Sequence, residues 1–98
     1  MLYLACYDIE HDRLRQQVAD LLLKTGLERI QYSVFMGPLT DTQKDLIEDR
    51  VSKWFTELTG CDFLLVPLPK YSTDNAQHLG NNPPDWVYLM GEKLVLII

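Results

Sequence analysis

The stretch LYLACYDIEHDRLRQQVADLLLKTG, Leu2 to Gly26, decides the fold. Leu2 to Ile9 form an apolar run broken only by Asp8, which reads as a central strand buried on both faces. Asp12 is then expected as the N-cap of a helix. Leu14, Val18, Leu21, Leu22 and Thr25 recur at helical spacing, Lys24 sits in the last turn and Gly26 follows it. A buried strand leading directly into an amphipathic helix opens a mixed α and β domain. Unusually, the strand ends in a carboxylate, with acids and arginines packed directly behind it.

Downstream, Arg29 to Leu39 (RIQYSVFMGPL) is rich in β-formers but interrupted by Ser33 and Gly37. It reads as two short strands or one strongly bent strand. Thr40 and Gln43 match a capping box. Ile47, Val51, Trp54, Phe55 and Leu58 then give a second amphipathic helix, closed by Gly60. Cys61 to Leu68 is a further strand, ended by Pro67 and Pro69. Residues 70–86, polar and centred on Asn-Asn-Pro-Pro, are expected to be loop. The tail, residues 87–98, reads as two short strands with Gly91-Glu92 between them as a type II′ turn.

This order, β-α-β(β)-α-β plus an extra strand pair, predicts one α+β domain over 1–98 with a ferredoxin-like core at 1–69. The apolar final strand, Lys93 to Ile98, would be a hazardous free edge. A second copy of the chain is its natural partner.

With 98 residues the chain buries roughly 60–65% of its unfolded surface, so further burial through oligomerisation is plausible from size alone. The net charge of −5 argues against broad attraction to polyanions, leaving any nucleic-acid surface to local clusters among the nine Lys and Arg. Cys6 and Cys61 lie in apolar stretches without metal-ligand spacing, as expected of free thiols in a reduced cytoplasm. The first residues lack the pattern of a signal peptide, and no apolar run approaches the roughly 18 residues of a membrane span.

Chemistry-bearing motifs are few. There is no Gly-rich phosphate loop, paired CxxC, HExxH or GxSxG. His11 and His78 are distant and lie in polar surroundings. Asp8, at the carboxyl end of the first strand, has two readings. It caps the turn through local backbone, or it serves as an oxygen ligand for a hard cation such as Mg²⁺. One carboxylate is a weak site; two copies meeting across a dimer axis make a reasonable one. Arg13, Arg15 and Arg29, with Lys24, are either solvated charges partnered by Glu10, Asp12 and Glu28 or a local phosphate-holding rim. Tyr7 and Tyr32 are packing residues or base-stacking ones.

These positions also carry a resemblance. Tyr7-Asp8-Ile9, then Asp12-Arg13, then Gly26-Leu27, Arg29, Gln31, Ser33-Val34-Phe35 and Gly37 together resemble the signature of the Cas-two family of CRISPR-associated adaptation proteins. Val66 to Leu68 and the closing LVLII fit its later strands. The resemblance implies a ferredoxin-like homodimer in which C-terminal strands complete the partner's sheet. It implies a bridge between copies of the Cas-one integrase while spacer DNA is captured and inserted. Some members are described as Mg²⁺-dependent nucleases on RNA or DNA, which makes Asp8 the expected catalytic and metal-binding residue. Arg13, Arg15 and Arg29 become expected contacts to the nucleic-acid backbone. Outside the family, a small-molecule-binding ferredoxin-like regulatory domain is the alternative; it would need an apolar pocket and no paired Asp8.

Overall fold

A computed structural model describes residues 1–85. Four antiparallel strands form one sheet in the order β2-β3-β1-β4, the order of the expected ferredoxin-like core. The C-terminal strands expected over 87–98, and their exchange in a homodimer, lie outside the described residues.

Strand β1 (Leu2–Ile9) occupies the centre, pairing with β3 on one side and β4 on the other. Its burial alternates. Tyr3, Ala5, Tyr7 and Ile9 are buried, Leu2, Leu4 and Cys6 are half-buried, and Asp8 is exposed. The expectation of burial on both faces is therefore corrected: the helices seal only one face, and the other stays open. Helix α1 (Asp12–Lys24) begins one residue earlier than expected, with His11 rather than Asp12 at the N-cap. Leu14, Val18, Ala19, Leu21 and Leu22 form its buried stripe. It ends in a Schellman motif, the Leu27 N–H donating to the Leu22 carbonyl and the Gly26 N–H to that of Leu23. Gly26 takes φ 99°, a conformation that glycine adopts without a Cβ penalty.

The segment left open between two strands and one resolves into two. β2 (Glu28–Gln31) and β3 (Val34–Pro38) are joined by a tight turn at Tyr32-Ser33. Their register slips between Arg29 and Gln31, so Ile30 is an extra residue and bends the outer strand. Helix α2 (Asp41–Phe55) opens with the expected capping box: the Gln43 N–H donates to Thr40 Oγ1 at 3.1 Å, and the Thr40 N–H to Gln43 Oε1 at 2.9 Å. Ile47 and Val51 are buried. Leu58 does not extend this face. Glu57 takes φ 64° and turns the chain out of the helix, leaving Leu58 exposed.

β4 (Cys61–Leu68) runs antiparallel to β1 from Ile9↔Cys61 to Leu2↔Leu68. As an edge strand it tolerates Pro67, which therefore lies inside the strand rather than ending it. The expected loop 70–86 starts with a short helix, α3 (Lys70–Asp74), led by Pro69 and tied by a Lys70–Asp74 ion pair at 3.0 Å. The core lies between sheet and helices, with Phe35, Leu22, Ile47 and Val18 as its largest fully buried side chains. No helix among the described residues is long and apolar enough to cross a membrane.

Candidate functional site

Asp8 stands on the open face because strand residues alternate and Tyr7 and Ile9 are claimed by the core. The turn that follows is held by other groups. The Glu10 N–H donates to the Gly60 carbonyl at 3.0 Å, and the Arg15 guanidinium donates to the Ile9 carbonyl at 2.8 Å. His11 Nε2 lies 3.0 Å from the Thr59 carbonyl, locking this turn to the one before β4. Gly60 takes φ 72°, a left-handed conformation that favours glycine, where the two turns touch; a Cβ there would also displace the Glu10 carboxylate.

Sequence reasoning missed the residue that faces Asp8. In the β1–β4 register Asp8 lies directly opposite Asp62, and both are exposed. Like charges at such positions repel, in the sense that opposite charges there attract, by roughly 0.2–1 kcal/mol. An open depression of about 200 Å³ adjoins the pair, lined by Cys6, Tyr7, Asp8, Asp62, Phe63 and Leu64. Its charged walls are two carboxylates, the donor class that Mg²⁺ prefers. Among the described residues there is no group of three or more His, Cys, Asp and Glu positioned to hold a metal. One chain thus offers two acidic oxygen donors of the class that could hold Mg²⁺, and any such site would need further ligands from water or a second chain.

The arginines do not surround Asp8. Arg29 pairs with Phe35 in register and so shares the helix-covered face; its guanidinium lies 4.9 Å from the Phe35 ring centroid and 5.7 Å from that of Tyr32. Arg15 binds Asp12 as well as the Ile9 carbonyl. That hydrogen bond to Asp12 is the main cause raising the pKa of Arg15, with a smaller contribution from Tyr32. Arg15 and Arg29 therefore converge on Tyr32, which is 72% exposed at the hairpin turn. Arg13 is exposed and stands apart. Tyr7 is a packing residue, stacked on Phe35 with ring centroids 6.1 Å apart. Of the acids expected as partners of the arginines, Asp12 pairs with Arg15, Glu28 accepts instead from the Asp85 N–H at 3.3 Å, and Glu10 is exposed and forms no ion pair with them among the described residues.

Around the Asp8–Asp62 pair the open face is apolar. Cys6 and Leu4 are half-buried, and opposite them on β4 stand Leu64, 62% exposed, and Val66, 38% exposed. Adjacent exposed aliphatics of this kind mark a surface suited to association.

Comparisons with known proteins agree with this architecture. The family model described as CRISPR associated protein Cas2 matches residues 1–76. A protein of Archaeoglobus fulgidus named CRISPR-associated endoribonuclease Cas2 1 is 34% identical over 95 residues, spanning 97% of this chain and 100% of that one. A CRISPR-associated endoribonuclease Cas2 2 of Pyrobaculum aerophilum is 38% identical over 85 residues, covering 86% of this chain and 91% of its own length. Among solved structures, Streptococcus pyogenes Cas2 superposes with a TM-score of 0.68 at 27% identity, over 82% of this chain and 100% of that one. By family model, by relatives along nearly its whole length and by fold, this chain belongs to the Cas2 family of CRISPR-associated proteins.

Proposed function

We propose that the chain works as a homodimeric scaffold in CRISPR adaptation, capturing spacer DNA and presenting it for insertion by the Cas-one integrase. Mg²⁺-dependent hydrolysis of RNA or DNA phosphodiesters, centred on Asp8, is its second capacity. The observation that carries this reading is Asp8, exposed at the end of an aliphatic sheet face, opposite Asp62 and in no ion pair among the described residues. The names of the relatives, which call those proteins endoribonucleases, support the nuclease part.

In an isologous dimer, each open face would meet its own copy, so every residue near the axis occurs twice. Leu64 and Val66 would leave water, and two Asp8 carboxylates would approach a common centre. Asp8 and Asp62 are the residues that would hold the ion. When bound, Mg²⁺ supplies Lewis-acid polarisation of the scissile phosphate and offsets charge on the departing oxygen. Arg13, Arg15 and Arg29 would grip backbone phosphates, independently of sequence.

The two capacities are separable. Asp8→Asn keeps the shape of the side chain and removes its charge. It is expected to abolish Mg²⁺-dependent cleavage of single-stranded RNA or DNA while leaving spacer insertion with the integrase intact. Cleavage by the Asn variant at the parent rate, in a nuclease-free preparation, would refute a catalytic Asp8. Removal of residues 93–98 is expected to abolish both dimerisation, read by light scattering, and insertion. Insertion that survives the truncation would overturn the scaffold reading.

A further inference from the structure

The helix-covered side of the molecule carries a feature that neither Asp8 nor the open face uses. Residues 13, 17, 20 and 24 follow one another at steps of four, three and four along α1, and so form a single ridge. Facing it, Arg50 and Trp54 lie one turn apart on α2. Gln17, Asp20, Leu21, Lys24, Arg50 and Trp54 line a groove of about 190 Å³ between the two helices. Trp54 packs partly against the core while also forming part of the groove wall.

The ion pairs mark this groove out. Arg15, Lys44, Lys53 and Lys70 each have a carboxylate partner. Arg13, Lys24, Arg29 and Arg50 form no ion pair among the described residues, and Arg29 rests instead on two aromatic rings. Lys24 and Arg50, two of these unpaired cations, share the groove, and a third, Arg13, begins its ridge about 16 Å away. Asp20 also lines the groove, where its carboxylate accepts from Gln16 at 2.9 Å. Two cations against one anion leave the groove net positive on a chain whose overall charge is −5.

A volume of about 190 Å³ is below the roughly 300 Å³ at which pockets begin to enclose whole drug-sized ligands. The groove therefore fits one ring-sized group of a longer molecule. An indole wall takes a nucleobase by stacking, which is indifferent to base identity, and the flanking cations take the phosphate. We propose that the α1–α2 groove is a one-nucleotide subsite for single-stranded nucleic acid, with the base against Trp54 and its phosphate between Lys24 and Arg50. The inference rests on the nucleic-acid reading above and adds a second, non-catalytic contact. Because α1 and α2 cover the sheet face opposite Asp8, a strand seated here is held away from that carboxylate.

The test uses the full-length protein carrying Trp86→Phe, so that Trp54 is the sole tryptophan. A single-stranded oligothymidylate, end-labelled for anisotropy, is titrated at several salt concentrations, with oligoglutamate as the competing acidic peptide. Saturable quenching of Trp54 in parallel with anisotropy is expected. Lys24→Gln with Arg50→Gln should weaken binding at least tenfold and flatten the salt slope by about 0.7, the share of the one phosphate held between them. Trp54→Phe, in a chain retaining Trp86, should remove the quenching and supplies the answer if the Trp86 variant folds poorly. Anisotropy that rises while Trp54 stays silent would overturn the subsite and leave the nucleic-acid reading standing. Absence of binding by both readouts would overturn both. Quenching by oligoglutamate alone would assign the groove to an acidic protein segment and overturn the proposal.

Discussion

The two faces of the sheet are built from alternate residues of the same strands, yet they have opposite characters. Toward the helices, Ala5 and Phe35 are fully buried and Tyr7 stacks on Phe35. On the other face, one residue further along each strand, Cys6 is half-buried, Leu64 is largely exposed, and Asp8 confronts Asp62. The first face stabilises the subunit; the second holds aliphatic surface and paired charge that a lone subunit gains nothing from exposing. A division this sharp separates residues that maintain the fold from residues available for association and chemistry.

The contrast is open to direct attack, starting with its strongest element. Phe35→Ala removes the largest fully buried side chain and is expected to cost about 3–5 kcal/mol in urea unfolding. A loss under about 1 kcal/mol would dissolve the distinction between the faces. Gly37→Ala probes how tightly the sealed side is closed. Its Cβ would come within 2.8 Å of Leu27 Cδ2 and 3.1 Å of the Leu27 backbone, for an expected cost of about 1–3 kcal/mol by the same measurement. Unchanged stability would show that this packing yields. On the open side, Asp62→Asn relieves the repulsion with Asp8, and a gain of roughly 0.2–1 kcal/mol is expected in Mg²⁺-free buffer. Destabilisation would mean that the pair has an attractive role.

The same substitution has a second readout. Burial chiefly, then the charges of Asp62 and Glu10, push the Cys61 thiol above its ordinary pKa and keep it protonated as pH rises. Asp62→Asn removes one of those causes, so alkylation of Cys61 near pH 8 should accelerate, followed by peptide mass mapping. Only the thiolate attacks the reagent, which fixes the sign. An unchanged rate would show that Asp62 does not act on this thiol.

Local patterns carried much of this architecture. The bounds of β1 and β4, the α1 stripe and the capping box at Thr40 follow from periodicity and cap chemistry within a few residues of each position. Legibility stopped where distant segments meet. Leu58 matched the helical spacing of α2, but the helix stops at Phe55 and Glu57 takes φ 64°, which turns Leu58 off that face before β4 begins. Alternating burial in β1 was hidden because its open face is itself aliphatic, so Leu2, Leu4 and Cys6 imitate a strand covered on both sides. Asp8 was legible as an acid ending an apolar run. Its neighbour Asp62 was not, since 53 residues separate them and only the strand register brings them opposite. Arg15 and Arg29 were legible as charges, whereas their convergence on Tyr32 depends on the hairpin and its bulge.

The central position of β1 also sets a timetable for the growing polypeptide. Its earlier neighbour ends at Pro38 and its later one at Leu68, so during translation one flank is zipped while the other waits for thirty more residues. At roughly 5–20 residues per second that interval lasts a few seconds, longer than a hairpin needs to form. For that time the nascent chain presents an unpaired aliphatic ribbon at its middle, and whatever reaches it before β4 competes with the native fold.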